Sequence, residues 1–188
     1  MTSRIPPLPK ERTDADTAAL LKRTGMAFNV HRVMANAPSL LEGYLGLSQS
    51  LDRGVLPKRI REQVALAIAA RNGCDYCLAA HRAGGRFAKL SAAEIELAER
   101  GVAAERREAA ALRLALEMLE RVGDVDDANF EPARAAGLGD TEILELAGHV
   151  ALNMLTNIVN RLARTPNDFA TTKMKVATEV LSRLGIGG

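Results

Sequence analysis

Apolar positions recur along this chain at three- and four-residue spacing, in stretches such as SLLEGYLGL, REQVALAIAA, ALRLALEML and ELAGHVALNMLTNIVNRLA. That spacing gathers them on one face of an α-helix, whereas a half-buried strand would alternate every second residue. The pattern predicts helices over about Asp14–Asn36, Ser39–Asp52, Pro57–Asn72, Cys74–Phe87, Ala92–Glu99, Glu105–Val122, Glu131–Ala136, Thr141–Arg164 and Thr171–Leu184, and no strand. The expected fold class is all-α, a multi-helix bundle.

Punctuation agrees with the periodicity. Pro6, Pro7 and Pro9 make an extended N-terminal arm over residues 1–13, Pro38 and Pro57 open new segments, and Pro166 follows a long periodic run. Ser39, Asp140 and Ser91 read as N-caps, Ser91 with Glu94 as a capping box. Gly73, Gly101, Gly137 and Gly185 stand where helices should stop. Laying Leu56–His81 beside Gly139–Arg164 gives a faint internal echo, which sets Glu62 against Glu145, Cys74 against Asn157, Cys77 against Asn160 and His81 against Arg164.

Composition narrows the class. At 188 residues the chain fits one domain, 1–188, large enough to bury a core unaided. It is 47% hydrophobic but only 3% aromatic, without Trp, a balance that suits close-packed helices. The 25 Lys and Arg nearly cancel 23 Asp and Glu, and no long block of like charge occurs, so neither a nucleic-acid nor a membrane-surface role is expected. The opening MTSRIPPLPKERTDAD lacks a basic stretch followed by an apolar run, and no segment reaches the roughly 18 to 20 apolar residues of a membrane span, so a cytoplasmic protein is expected. In a reducing compartment, two Cys only three positions apart point to reactivity or metal binding rather than to a structural staple.

The chemistry concentrates in residues 57–87, PKRIREQVALAIAARNGCDYCLAAHRAGGRF. Cys74 and Cys77 fall in a first helical turn, where free N–H groups and the helix dipole favour a thiolate. Cys74, Cys77 and His81, at i, i+3 and i+7, share one helix face, with His81 a turn beyond Cys77. If the preceding helix packs antiparallel about Gly73, Glu62 comes closer to His81 than to the thiols. The order is then carboxylate, imidazole, thiol, an arrangement that activates a nucleophile. The helix dipole favours Cys74 as the reactive thiol, and the adjacent His81 favours Cys77. Two other readings of the same four side chains are a pair of buried small hydrophobes beside surface polar groups, and a zinc site. Structural zinc sites, however, usually draw a second ligand pair from a distant loop. His149, within ELAGHVALNML, reads as a hydrogen-bonded core residue, and His31 as helix surface or interface. Asn153, Asn157 and Asn160 lie along one helix face among apolar residues and must meet polar partners.

Glu62, eleven residues, Cys74, two residues, Cys77, three residues and His81 form the motif E-x11-C-x2-C-x3-H, which resembles that of AhpD-like alkylhydroperoxidases in the carboxymuconolactone decarboxylase superfamily. The likeness extends to RIPPLP, HRVMANAPSLLEGY and HVALNMLTNIVNRLA. The resemblance implies an all-helical AhpD-like bundle, trimers or hexamers, and a thiol-dependent peroxidase that reduces hydroperoxides with electrons from a dithiol reductant and needs no cofactor or metal. It makes Cys77 the attacking thiol and Cys74 the resolving one, with His81 and Glu62 as the remaining catalytic groups. One position departs from the pattern: the archetypal proteins carry a second histidine directly before the second Cys, where this chain has Tyr76, a poor base at neutral pH. A general disulfide oxidoreductase, a decarboxylase of the same superfamily, and a redox-sensing or metal-binding helical module are the alternative readings.

Overall fold

The computed structural model describes residues 2–170, and the helix expected at Thr171–Leu184, with its stop at Gly185, lies outside them. Within the described residues the chain is all-α, in the order α1 (Ala15–Lys22), α2 (Asn29–Met34), α3 (Pro38–Asp52), α4 (Lys58–Arg71), α5 (Asp75–Phe87), α6 (Ala92–Glu99), α7 (Arg106–Arg121), α8 (Asp127–Ala135) and α9 (Asp140–Ala163), with 3-10 turns at Lys10–Arg12 and Asp168–Ala170.

Four sequence readings are corrected. The single helix expected over Asp14–Asn36 is two, because Gly25 takes a left-handed φ of 69° and turns the chain between α1 and α2. Pro38 rather than Ser39 opens α3, occupying the first helical position, where its missing N–H is no loss. Gly139 caps α9, and Asp140 is its first residue; Glu142 reaches back to the Gly139 N–H at 3.2 Å. The helix expected over Glu131–Ala136 begins four residues earlier, at Asp127, and carries Pro132 inside it as α8. The capping box at Ser91 and Glu94 is present, and Gly73, Gly101 and Gly137 all have positive φ.

α4 organises the packing. Ile60 and the whole run Gln63–Ala69 are buried, so that stretch of the helix is covered on all sides within the bundle, against α5, α6, α7 and α9. Its one buried polar side chain in that run, Gln63, donates Nε2–H to Glu108 at 2.7 Å. One hydrophobic cluster joins Val64, Leu66 and Ile68 to Leu112 and Leu114 of α7 and Leu146 of α9. A second, smaller cluster joins Met34 of α2, Leu41 and Leu45 of α3 and Ala69 to Cys74, Tyr76 and Cys77. The extended arm closes over this second cluster: the Arg4 N–H donates to the Ala163 carbonyl at 2.8 Å and the Leu8 N–H to the Arg32 carbonyl at 2.9 Å.

Candidate active site

α4 ends at Asn72, and Gly73, with φ 61°, reverses the chain so that α5 starts at once with Cys74 as its N-cap. The Cys74 sulfur accepts the Cys77 N–H at 3.3 Å, which satisfies one of the free donors of the first turn. Cys74 and Cys77 are joined in a disulfide, their Cα atoms 5.3 Å apart, and each is only 2% exposed. Asn160 of α9 donates its Nδ2–H to the Cys77 sulfur at 3.4 Å.

One turn on, His81 pairs through Nδ1 with Glu62 Oε2 at 3.0 Å, so α4 and α5 bring the carboxylate and imidazole together. Gly84, one further turn along α5, makes that approach possible: a Cβ there would lie 2.5 Å from Glu62 Oε2. Nδ1 engaged with the carboxylate leaves Nε2 to exchange a proton.

Cys77, His81 and Glu62 open onto a common cavity of about 480 Å³, within the roughly 300–1,000 Å³ of small-molecule sites, whereas Cys74 does not line it. Both cysteines belong to the smaller hydrophobic cluster, so the cavity face is what distinguishes them. Asn160 and Thr156 of α9 supply polar groups to the wall; apolar side chains from α2, α5 and the turn at Asp168–Ala170 supply most of the rest.

Tyr76 is buried, and its hydroxyl donates to Asp168 Oδ2 at 2.6 Å while receiving the Val30 N–H at 3.3 Å. Burial first, and then the hydrogen bond to the Asp168 carboxylate, push the phenol far above its usual range, so it is a fixed donor rather than a base. Asp168 also accepts the Asn29 N–H at 2.8 Å, tying the turn after α9 to the start of α2.

His31, whose sequence context suggested a helix surface or interface, is not at the surface. It is buried in the cavity wall, its Nδ1 accepts the Phe28 N–H at 3.1 Å and caps α2, and burial lowers its pKa. His149 is buried as expected, but its Nε2 has no hydrogen-bond partner among the described residues. The three asparagines find different partners. Asn153 donates to the His149 carbonyl at 2.8 Å, Asn157 accepts from Asn72 at 3.1 Å, and only Asn160 reaches the sulfurs. Glu145, aligned with Glu62 in the internal echo, instead accepts the backbone N–H groups of Val55 and Leu56 at 2.9 and 2.7 Å.

Asp168 and Phe169 were not singled out by the sequence reading. The available signal was an aromatic residue after a helix-ending Pro166 in a chain that has few aromatics. With Cys74 and Cys77 bonded to each other, the described residues include no group of three or more His, Cys, Asp and Glu placed to hold a metal ion. No helix among them is long and apolar enough to cross a membrane.

The described residues thus combine an all-helical fold with a Cys-x-x-Cys pair at a helix start, the second Cys sharing one cavity with an imidazole and a carboxylate. Residues 38–121 match the carboxymuconolactone decarboxylase family. Among solved structures, the chain is similar to an uncharacterized peroxidase-related protein from Silicibacter sp. TM1040, at 26% identity over 86% of this chain and 87% of that one, with a TM-score of 0.70. It is also similar to an uncharacterized peroxidase-related protein with an alkylhydroperoxidase AhpD core from Ralstonia eutropha JMP134, at 24% identity over 89% and 96%, TM-score 0.75. The debrominase Bmp8, in complex with 2,3,4-tribromopyrrole, shares the fold at 16% identity over 89% and 93%, TM-score 0.71. No curated protein is a significant match. Over residues 38–121 the chain thus resembles the carboxymuconolactone decarboxylase family, and its fold is like that of the AhpD-core structure.

Proposed function

We propose that the protein is a thiol-dependent peroxidase in which Cys77 attacks, Cys74 resolves, and His81 and Glu62 assist. The Cys77 thiolate attacks the distal oxygen of a hydroperoxide, the O–O bond breaks, and the leaving alkoxide takes a proton to become an alcohol. The sulfenic acid on Cys77 then condenses with the Cys74 thiol, releasing water and forming the disulfide, which an external dithiol reduces. The observation that carries this reading is a difference between the two cysteines: Cys77 lines the cavity with His81 and Glu62, and Cys74 does not.

The fold alone does not fix the reaction, since Bmp8 is a debrominase. The test is therefore comparative. Reduced protein with dithiothreitol should consume peroxide catalytically, and Cys77→Ser should abolish that turnover. Turnover of a brominated pyrrole in the absence of peroxide turnover would reverse the assignment.

We also propose one domain over 1–188 acting as a homo-oligomer, a trimer or hexamer. Support comes from α9, where Leu144, Ile158 and Leu162 are 72%, 54% and 56% exposed on a helix whose other apolar residues are largely covered. Light scattering at micromolar concentration should give a mass that is a multiple of 20.1 kDa. A monomer would count against it.

A further inference from the structure

The chain contains four Phe, two Tyr and no Trp, all at described positions. Phe28, Tyr44, Tyr76, Phe87 and Phe169, five of those six, line the cavity onto which Cys77 opens; only Phe130 lies elsewhere. They are also connected. Tyr76 meets Phe169 edge-on at 5.5 Å, Phe169 meets Phe28 at 5.0 Å, Phe28 meets His31 at 6.1 Å, and His31 meets Tyr44 at 5.7 Å. This arc is held in place from outside, by the Asp168 carboxylate that receives the Tyr76 hydroxyl and the Asn29 N–H.

Aromatic side chains that served only to fill a core would pack the space between them, but these surround about 480 Å³ that the described residues leave open. Hydrogen peroxide needs no such wall. The arc ends at Tyr76, next to the reactive Cys77, so a ring seated against it leaves a substituent within reach of the sulfur and His81. Among the described residues no Lys or Arg lines the space, and its acidic side chain, Glu62, is already paired with His81, a setting that favours a neutral ligand.

From this concentration of rings we infer that the site selects neutral arylalkyl hydroperoxides, binding the ring against Phe28, Phe169 and Tyr44 and presenting the peroxide to Cys77. The inference rests on the peroxidase reading and names its substrate class. The chemistry is unchanged: arylalkyl ROOH and two thiols give ROH, water and the Cys74–Cys77 disulfide, with the external dithiol as reductant.

The test has two arms. In the first, single-turnover oxidation of the reduced protein is followed by stopped flow with cumene hydroperoxide, tert-butyl hydroperoxide and hydrogen peroxide, each rate divided by that of the same peroxide with dithiothreitol. The normalised cumene rate should exceed the tert-butyl rate by at least about tenfold, and that ratio should fall below about threefold in Phe169→Leu. If that variant does not fold, as judged by circular dichroism, Phe28→Leu takes its place. Equal normalised rates in the wild type, or a ratio that survives both substitutions, overturn the inference. In the second arm, calorimetry on the disulfide form compares 2-phenylpropan-2-ol with tert-butanol, which requires no peroxide chemistry. A Kd at least about tenfold lower for the phenyl alcohol supports the ring site, and equal affinities overturn it. If no peroxide oxidises the thiols but the phenyl alcohol binds selectively, the peroxidase reading fails and the aromatic ligand site stands.

Discussion

Glu62 reaches His81 across the α4–α5 contact at 3.0 Å only because residue 84 has no side chain to occupy the same space. Gly84 sits mid-helix, where alanine is intrinsically preferred by about 1 kcal/mol. Gly84→Ala should therefore fold, with a melting temperature close to the wild type, while the added methyl displaces the Glu62 carboxylate. Its rate of Cys77 oxidation should fall to that of Glu62→Gln, and the double substitution should be little slower than either alone. Wild-type kinetics in Gly84→Ala would mean that the carboxylate position is immaterial.

If His81 activates the Cys77 thiol and Glu62 acts through His81, the two substitutions are not additive. An unperturbed thiol is only about 3% ionised at pH 7. In the reduced protein, His81→Gln should slow Cys77 alkylation by a neutral reagent at pH 7 by about tenfold and move its pH midpoint upward. Glu62→Gln should do less, and the double variant should match His81→Gln. Additive losses would make Glu62 an independent contributor.

Asn160 donates to the Cys77 sulfur from α9, so its replacement tests whether that hydrogen bond supports the thiolate. Asn160→Asp places a carboxylate against the sulfur and should raise the alkylation midpoint further than Asn160→Ala does, because a like charge disfavours the anion. Alkylation profiles of the two variants provide the comparison. A larger effect for alanine would mean that Asn160 matters for packing.

Burial, and then the nearby charge of Arg61, hold His149 below its ordinary value of 6.5. The folded state keeps this imidazole neutral, whereas the unfolded chain protonates it below about pH 6.5. Stability is thus fully present above that pH and declines as pH falls from 6.5 toward the lower folded value. His149→Gln should lose less of its urea midpoint than the wild type between pH 7 and pH 5.5. Parallel losses would place the acid sensitivity at His31, which burial lowers in the same way.

Local rules made most of the fold legible. The apolar run from Val64 to Ala69 and the stops at Gly73, Gly101 and Gly137 located α4 and several helix ends, because period and backbone freedom are properties of short segments. The Cys74, Cys77 and His81 face was equally local, and Glu62 needed only one antiparallel helix pair. Contacts across long stretches of chain were not accessible to such rules. Asp168 lies 92 residues from Tyr76, and Asn160 lies 83 from Cys77, so neither partnership follows from periodicity. His31 was misread for the same reason: its buried setting comes from Tyr44 and Phe28 packing around it, and its own helix pattern contains no sign of that. Gly25 broke the first helix although its neighbours kept an apolar rhythm, since one left-handed residue outweighs periodicity.

Trapping the intermediate separates the two proposed roles, Cys77 as the sulfur that receives the peroxide oxygen and Cys74 as the one that resolves it. Cys74→Ser protein, reduced and then given one equivalent of hydroperoxide, should carry a single sulfenic acid on Cys77, identified by peptide mass spectrometry after trapping with a dione reagent. Cys77→Ser under the same conditions should leave Cys74 as the thiol. A sulfenic acid on Cys74 in Cys77→Ser, with Cys77 unmodified in Cys74→Ser, would exchange the roles of the two sulfurs.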